Sequence, residues 1–370
     1  MGNVKNNNRL MSLDTLRGFD MFFIMGGDAL FIAFCSLFPG TLVGSWGAQM
    51  HHVAWNGFTF YDLIFPLFLF LAGVSFPFSL AKQRSLGKSN CVISRKILYR
   101  GAMLVLLGMV YNGLLSFDFE TMRYPSVLGR IGSAWMLAAL LYVWVGRKWS
   151  ALLSAVLLLG YWALLACVPV PGSEGLSPFS MGGSLVGYID RLLLPGTLHD
   201  GVHDPEGLLS TLPAVVTALL GIFTGEFVMS KKVQSGYRKV LYLFAAAALL
   251  LLAGWLWDML FPINKNLWTS SFVCFAGGWS VALFALFYLV VDVLQWRGWT
   301  LFFRVIGMNS ITIYLLQRFV DFHQPTNALL GGVINAFPAS LHPLAYWLCY
   351  VGVCWVLLYF LYRKKIFLKV

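Results

Sequence analysis

Charge is what this 370-residue chain has least of. Only 11% of its residues are Asp, Glu, Lys or Arg, and just 15 of them are acidic. A water-soluble domain carries about 25% charged residues, so a soluble globular fold is excluded. The six cysteines, at 35, 91, 167, 274, 349 and 354, form no C-x-x-C pair and have no zinc-ligand spacing. Neither a disulfide framework nor a structural metal is expected. There is no Gly-rich phosphate loop, no G-x-S-x-G and no H-E-x-x-H, which removes the chemistries those motifs serve. No repeat occurs at helix-pair period, so an inverted-repeat transporter is not signalled. No signal peptide is expected either: the first apolar stretch carries Asp20 and Asp28 and lacks a small-residue cleavage site.

What is present is apolar and aromatic: 59% hydrophobic residues, 16% aromatic, 14 Trp and a mean hydropathy of +0.76. Trp and Tyr collect at both faces of a bilayer, and a crossing helix needs about 20 apolar residues. Runs of that kind fall near 16–38, 58–81, 100–117, 127–146, 150–170, 207–229, 239–260, 270–293, 300–320 and 344–362. The expected fold is therefore all-α: a polytopic membrane protein of about ten transmembrane helices, one bundle using residues 1–370 as a single domain. A tight hairpin at Arg147-Lys148-Trp149 should join the fourth and fifth runs.

The net charge of +11 does not form the single basic face that nucleic acid needs. The Lys and Arg residues fall between apolar runs, on alternate sides. One side takes Lys5, Arg9, Lys82, Arg84, Lys88, Arg95, Lys96, Arg147, Lys148, Lys231, Lys232, Arg238, Lys239, Arg297 and Arg363-Lys364-Lys365. The other keeps little beyond Arg123, Arg191 and Lys265. Positive charge stays in the cytosol, so both termini are expected there. All six His residues then face outward.

Ionisable groups inside apolar runs are costly, which makes each a functional candidate. Asp14, Arg17, Asp20 and Asp28 lie in or beside the first run. Gly26-Gly27 before Asp28 permits close approach of a helix or ligand. The segment His51-His52-Val53-Ala54-Trp55-Asn56-Gly57 leads to Asp62 and the helix-opening Pro66. His52 with Asp62 makes a base and its orienting carboxylate if the loop folds back; interfacial His residues facing water are the bland alternative. Arg123 and Arg130 flank the outer end of the fourth run, where Arg either grips an anion or snorkels to the headgroups. Asn264, Lys265 and Asn266 cap an outer turn. Asn309 and Ser310 put polar groups into the ninth run, where helix–helix hydrogen bonding is the simpler role. Leu185–Leu194 should form a short interfacial helix, and Asp204-Pro205-Glu206-Gly207 has the composition of a helix start. His199 and His203 sit at i and i+4 but between Gly201 and Pro205, which argues for a loop and against a metal helix.

These residues carry a resemblance to heparan-α-glucosaminide N-acetyltransferases and their bacterial relatives in the transmembrane acyltransferase superfamily. The matching stretches run in family order: Arg9 to Gly18; His52-x-x-Trp55-Asn56-Gly57 through Asp62-Leu63-Ile64-Phe65-Pro66; and Gly187-Tyr188-Ile189-Asp190-Arg191. Asp204 to Gly207, Asn264 to Trp268 and Gly307-Met308-Asn309-Ser310 follow. The resemblance implies that His52 is the catalytic histidine and Asp62 the acid of the same motif. It implies acetyl-CoA as co-substrate without a metal, an amino sugar or glycan end as acceptor, and a lipid bilayer around the protein. It also allows a homodimer. Asp28, Trp55, Asn56, Arg123, Arg130, Asn266 and Asn309 become acceptor-side candidates. Arg17, Arg95, Lys96, Arg100 and Arg304 become candidates for the CoA phosphates by position. Two departures are visible. Asp28 stands where the family has Asn, and Pro125-Ser126-Val127-Leu128-Gly129-Arg130 lacks the Gln of the family's P-G-V-L-Q-R.

The chain is also expected to lack the luminal N-terminal domain of the animal enzyme, and to reside in a bacterial inner membrane. The expected reaction moves acetyl from cytosolic acetyl-CoA to a glucosamine-type amine outside, with His52 as general base or as acetyl carrier. An O-acyltransferase of a surface glycan would keep the CoA requirement and change the acceptor. A sugar transporter would need no acetyl-CoA.

Overall fold

A computed structural model describes residues 10–368; Lys5 and Arg9, counted above among the cytosolic cations, lie outside the described residues. The order of helices is α1 (Met11–Phe22), a π turn at Phe23–Gly27, α2 (Asp28–Cys35), α3 (Leu42–Ser45), α4 (Phe60–Ser85), α5 (Asn90–Tyr111) and α6 (Val127–Cys167). Then come α7 (Leu185–Leu193), α8 (Thr211–Met229), α9 (Gly236–Asp258), α10 (Ser270–Phe287), α11 (Thr300–Met308), α12 (Ser310–Phe319), α13 (His323–Asn335) and α14 (His342–Arg363). Among the described residues the structure is helical, with a lone β-bridge between Arg123 and Gly196.

Seven helical stretches are long and apolar enough to cross a membrane. One of them, Val127–Cys167, is broken at Gly146, whose φ of 73° leaves the helical region. Tyr161 near its far end donates to Leu267 O at 2.6 Å, on the same side of the molecule as the Ser126 start, so the stretch folds back as two arms. That is the hairpin expected at 147–149. Two expected runs look different. α5 carries Arg95, Lys96 and Arg100. The 300–320 run is two short helices meeting at Asn309, which has φ −119° and ψ 20°. The expected helix start at Asp204 lies elsewhere: α8 begins at Thr211, because Asp204 is engaged by Arg123. The segment 321–343, expected on the outer side, holds a helix of its own, α13.

α4 and α8 pack backbone to backbone. A Cβ on Gly221 would lie 2.0 Å from Phe70 O, and one on Gly73 would lie 2.2 Å from Ala218 O. Small residues are how membrane helices gain contact where lipid offers no hydrophobic drive. The core cluster of Leu67, Phe70, Val74, Leu219, Ile222, Phe272 and Phe284 forms around this pair. α4 thereby becomes the axis on which the site is arranged.

Candidate functional site

α4 starts with Thr59 as its N-cap. Asp62, at the third helical position, accepts the Thr59 N–H at 3.1 Å through Oδ2, the reciprocal half of a capping box. The Thr59 hydroxyl donates to the same oxygen at 3.0 Å. Oδ1 of Asp62 faces the other way, 2.7 Å from His52 Nδ1. The carboxylate is 1% exposed and the imidazole 49%. One buried group thus caps the helix and orients a ring that is open to a cavity. A carboxylate can only accept, so Nδ1 carries a proton, and in the neutral ring the lone pair is on Nε2.

The loop holding His52 is pinned to the segment 261–269. Gly57 N–H donates to Ile263 O at 2.8 Å, and Asn264 Nδ2 donates to Asn56 Oδ1 at 3.0 Å. That junction brings in Lys265, whose Nζ lies 3.0 and 3.2 Å from the two ring nitrogens of His52 and 3.4 Å from Asp62. Burial lowers the Lys265 pKa from its ordinary value, against the opposing pull of Asp62 and Glu206. Sequence reasoning gave Lys265 only a turn-capping part. Its signal was its rarity: it is among the few cations on the side that holds the His residues.

A second charged group closes the same space. Arg123 donates from Nε to Asp204 Oδ2 at 2.8 Å and from Nη2 to Oδ1 at 2.6 Å, and it also pairs with Glu206. Burial works against the guanidinium's charge, but the two carboxylates outweigh it and hold its pKa above the ordinary value. Asp204 is buried, yet Arg123 and the N–H groups of Glu206 and His199 keep it below the usual carboxylate range. Arg130 is 2% exposed. It donates to Pro205 O, Gly207 O and Ser210 Oγ, and its guanidinium lies 5.3 Å from the Trp268 ring centroid.

The cavity at the start of α4, on the side where the sequence expects the outside, has a volume of about 460 Å³. His52, Asp62, Trp55, Arg123, Lys265 and Asn266 line it, with Tyr61, His199 and Glu206, which sequence reasoning had not placed there. Asn56, Asp28, Arg130 and Asn309 do not line it. Asn56 serves the Asn264 junction, and Asp28 interacts with Tyr61, whose ring lies 4.8 Å from that of His52. Arg130 holds the 205–210 backbone. Asn309 lines a second cavity of about 370 Å³ with Arg17 and Arg100. Phe68, Leu128, Ile131, Ser310 and Ile311 belong to both walls. A third space, of about 630 Å³, lies at the far end of α4 between Lys82, Lys88, Arg95, Lys96 and Arg100. Arg100 and Trp135, with the guanidinium 4.7 Å from the ring centroid, stand at its boundary with the second. Arg304 lines none of the three. Among the described residues no group of three or more His, Cys, Asp or Glu is arranged to hold a metal.

The fold and site are those of a multi-pass membrane protein with a His–Asp pair in a cavity wall at the start of α4. No family model matches the chain. It is similar to heparan-alpha-glucosaminide N-acetyltransferase of Mus musculus, 29% identical over 428 aligned positions that take in 98% of this chain and 61% of the relative. It is equally similar to the Homo sapiens protein of that name, 29% identical over 98% of this chain and 60% of the relative. The chain thus spans about three fifths of the length of the curated relatives it matches. The likeness runs through nearly all of this chain.

Proposed function

We propose that this chain is a transmembrane N-acetyltransferase. It moves the acetyl group of cytosolic acetyl-CoA to the amine of a glucosamine-type sugar on the opposite face of a bacterial inner membrane. The observation that carries this reading is the row of adjoining cavities along α4. A basic space suited to phosphates leads past Arg100 and Arg17 to an imidazole poised on a carboxylate. α4 has 26 residues and spans about 39 Å, so the row runs the depth of a bilayer. With ten crossings in one domain and both termini in the cytosol, the cationic end of α4 faces acetyl-CoA and His52 faces the acceptor.

In this reading the nucleotide phosphates lie against Arg95, Lys96 and Arg100, and the thioester reaches the outer cavity. The sugar amine attacks the carbonyl carbon. His52 Nε2 takes the amine's proton while Asp62 holds the Nδ1–H and steadies the charge the ring gains. The C–S bond breaks, its electron pair leaves with sulfur, and the imidazolium returns the proton to the thiolate. Trp55 offers its ring to the sugar, its indole N–H being engaged with Phe179 O at 2.8 Å.

Purified protein with labelled acetyl-CoA and a panel of sugars tests the reading. Transfer to a free glucosamine amine is expected. His52→Ala should lower turnover by about 10³-fold, within the range for general bases, with CoA affinity measured by calorimetry unchanged. Ordinary turnover in that variant sinks the role of His52. Sugar accumulation in vesicles without acetyl-CoA identifies a transporter instead.

A further inference from the structure

Lys265 is the charge nearest the reacting histidine that this mechanism leaves idle. Its Nζ is almost equidistant from the two ring nitrogens of His52, at 3.0 and 3.2 Å. An ammonium in the ring plane at those distances would collide with the Cε1–H between them, so it lies over the ring face. It therefore does not occupy the Nε2 lone pair. Asp62 takes only part of it: that carboxylate pairs with the ammonium at 3.4 Å but is also engaged by His52 and Thr59, and an ammonium has three donor hydrogens. Lys265 lines the outer cavity, with donor hydrogens to spare beside the place where an acyl group meets Nε2.

The ammonium is also held in advance. Asn264 Oδ1 accepts the Leu267 N–H at 2.8 Å, and its Nδ2 reaches Asn56. Asn266 O accepts from His203 Nε2 at 3.1 Å. The turn ends on Trp268, which adopts φ 52°, a left-handed conformation that is strained for a bulky residue. It is kept there by burial at 1% exposure and a hydrogen bond from its indole to Thr217 Oγ1 at 3.2 Å. Strain retained against such packing is characteristic of sites where position matters.

We propose that Lys265 is a catalytic residue whose ammonium receives the thioester carbonyl oxygen as it becomes an oxyanion. The inference rests on the acyl-transfer reading. As the amine nitrogen bonds to the carbonyl carbon, the C=O π pair moves to oxygen, against Lys265 Nζ–H. When the oxyanion collapses the pair returns, the C–S bond breaks, and His52 delivers the amine's proton to sulfur. Lys265 begins and ends protonated. A preorganised donor in a water-poor site is worth about 10²–10³ in turnover.

Lys265→Met and Lys265→Arg test this with acetyl-CoA and the acceptor that the wild type uses. The methionine variant should lose about 10²–10³-fold in kcat with both KM values within about 3-fold, and the arginine variant should recover most of that loss. The titratable groups facing Lys265 are His52, Asp62 and Glu206, and all remain in both variants. The wild-type kcat should fall on the alkaline side as Lys265 deprotonates, and in Lys265→Arg that fall should move to higher pH. If the methionine variant does not fold, Lys265→Gln takes its place. Unchanged kcat in the neutral variant overturns the proposal, as does an alkaline limb that stays put in Lys265→Arg. Wild-type protein that transfers no acetyl group sinks the underlying reading instead, a result read before any variant is made.

Discussion

The two ends of α4 treat charge in opposite ways. At the start, the central charges are paired: Asp62 has His52 and Lys265, and Arg123 has Asp204 and Glu206. At the other end Lys82, Lys88, Arg95 and Lys96 surround an open space, and among the described residues none of them pairs with a carboxylate. Paired charges keep their geometry without a ligand, which suits groups that must be aligned before chemistry. Unpaired cations cost little while solvated and gain when a polyanion arrives. The difference teaches which end is built to react and which to attract.

That contrast can be broken most sharply at Arg123. Asp204→Asn removes the buried half of a bidentate pair and should cost about 3 kcal/mol, read as a fall in detergent melting temperature. Glu206→Gln leaves the Asp204 bond and should cost less than half as much. Equal effects would mean that Asp204 is no more the anchor of Arg123 than Glu206 is.

A smaller and purely functional effect is expected at the cationic end. Arg95→Gln combined with Lys96→Gln should raise the KM for acetyl-CoA about tenfold, equivalent to about 1.4 kcal/mol, and leave kcat and melting temperature alone. The difference from wild type should shrink at high salt, because exposed charges are screened. A loss confined to kcat would place these residues outside donor capture.

A pH-dependent effect concerns Asp190, whose Oδ1 accepts the Leu208 N–H at 2.9 Å. Burial raises its pKa from 3.8 to about 6. A carboxyl raised on folding binds its proton more tightly in the folded state, so its contribution is full below pH 3.8 and is lost as pH rises to about 6. Between those limits the melting temperature of the wild type should fall relative to Asp190→Asn, and above about pH 6 the gap should stay constant. A gap that does not change between pH 4 and 6 would remove the buried-carboxyl account.

How much of this was legible depended on how far apart the partners lie in sequence. His52 and Asp62 are ten residues apart, and a loop leading into a helix brings such neighbours together at 2.7 Å, so the pair could be named from order alone. Lys265 lies 213 residues from His52, and no periodicity or spacing connects them. Arg130 shows the opposite limit. An Arg near the end of an apolar run suggests an anion site, yet its donors go to the carbonyls of Pro205, Gly207 and Ser210 and to the Ser210 hydroxyl, a use that only the path of the 204–210 segment reveals. Asn309 was placed among acceptor groups and lines the cavity of Arg17 and Arg100, because the helix breaks there instead of running through.

By itself the sequence determined the helical class, most of the apolar stretches and the hairpin at Gly146, because hydropathy and backbone propensity act on neighbours along the chain. It also put His52 and Asp62 near enough along the chain to meet, while the loop that carries His52 is pinned by the distant 261–269 segment. Only the tertiary structure decided that Lys265 stands over that imidazole, that Arg123 is neutralised by Asp204, and that the cavities adjoin along α4. Those arrangements depend on where distant segments pack, and electrostatic energy depends on distance in space and on burial, neither of which is written in residue order.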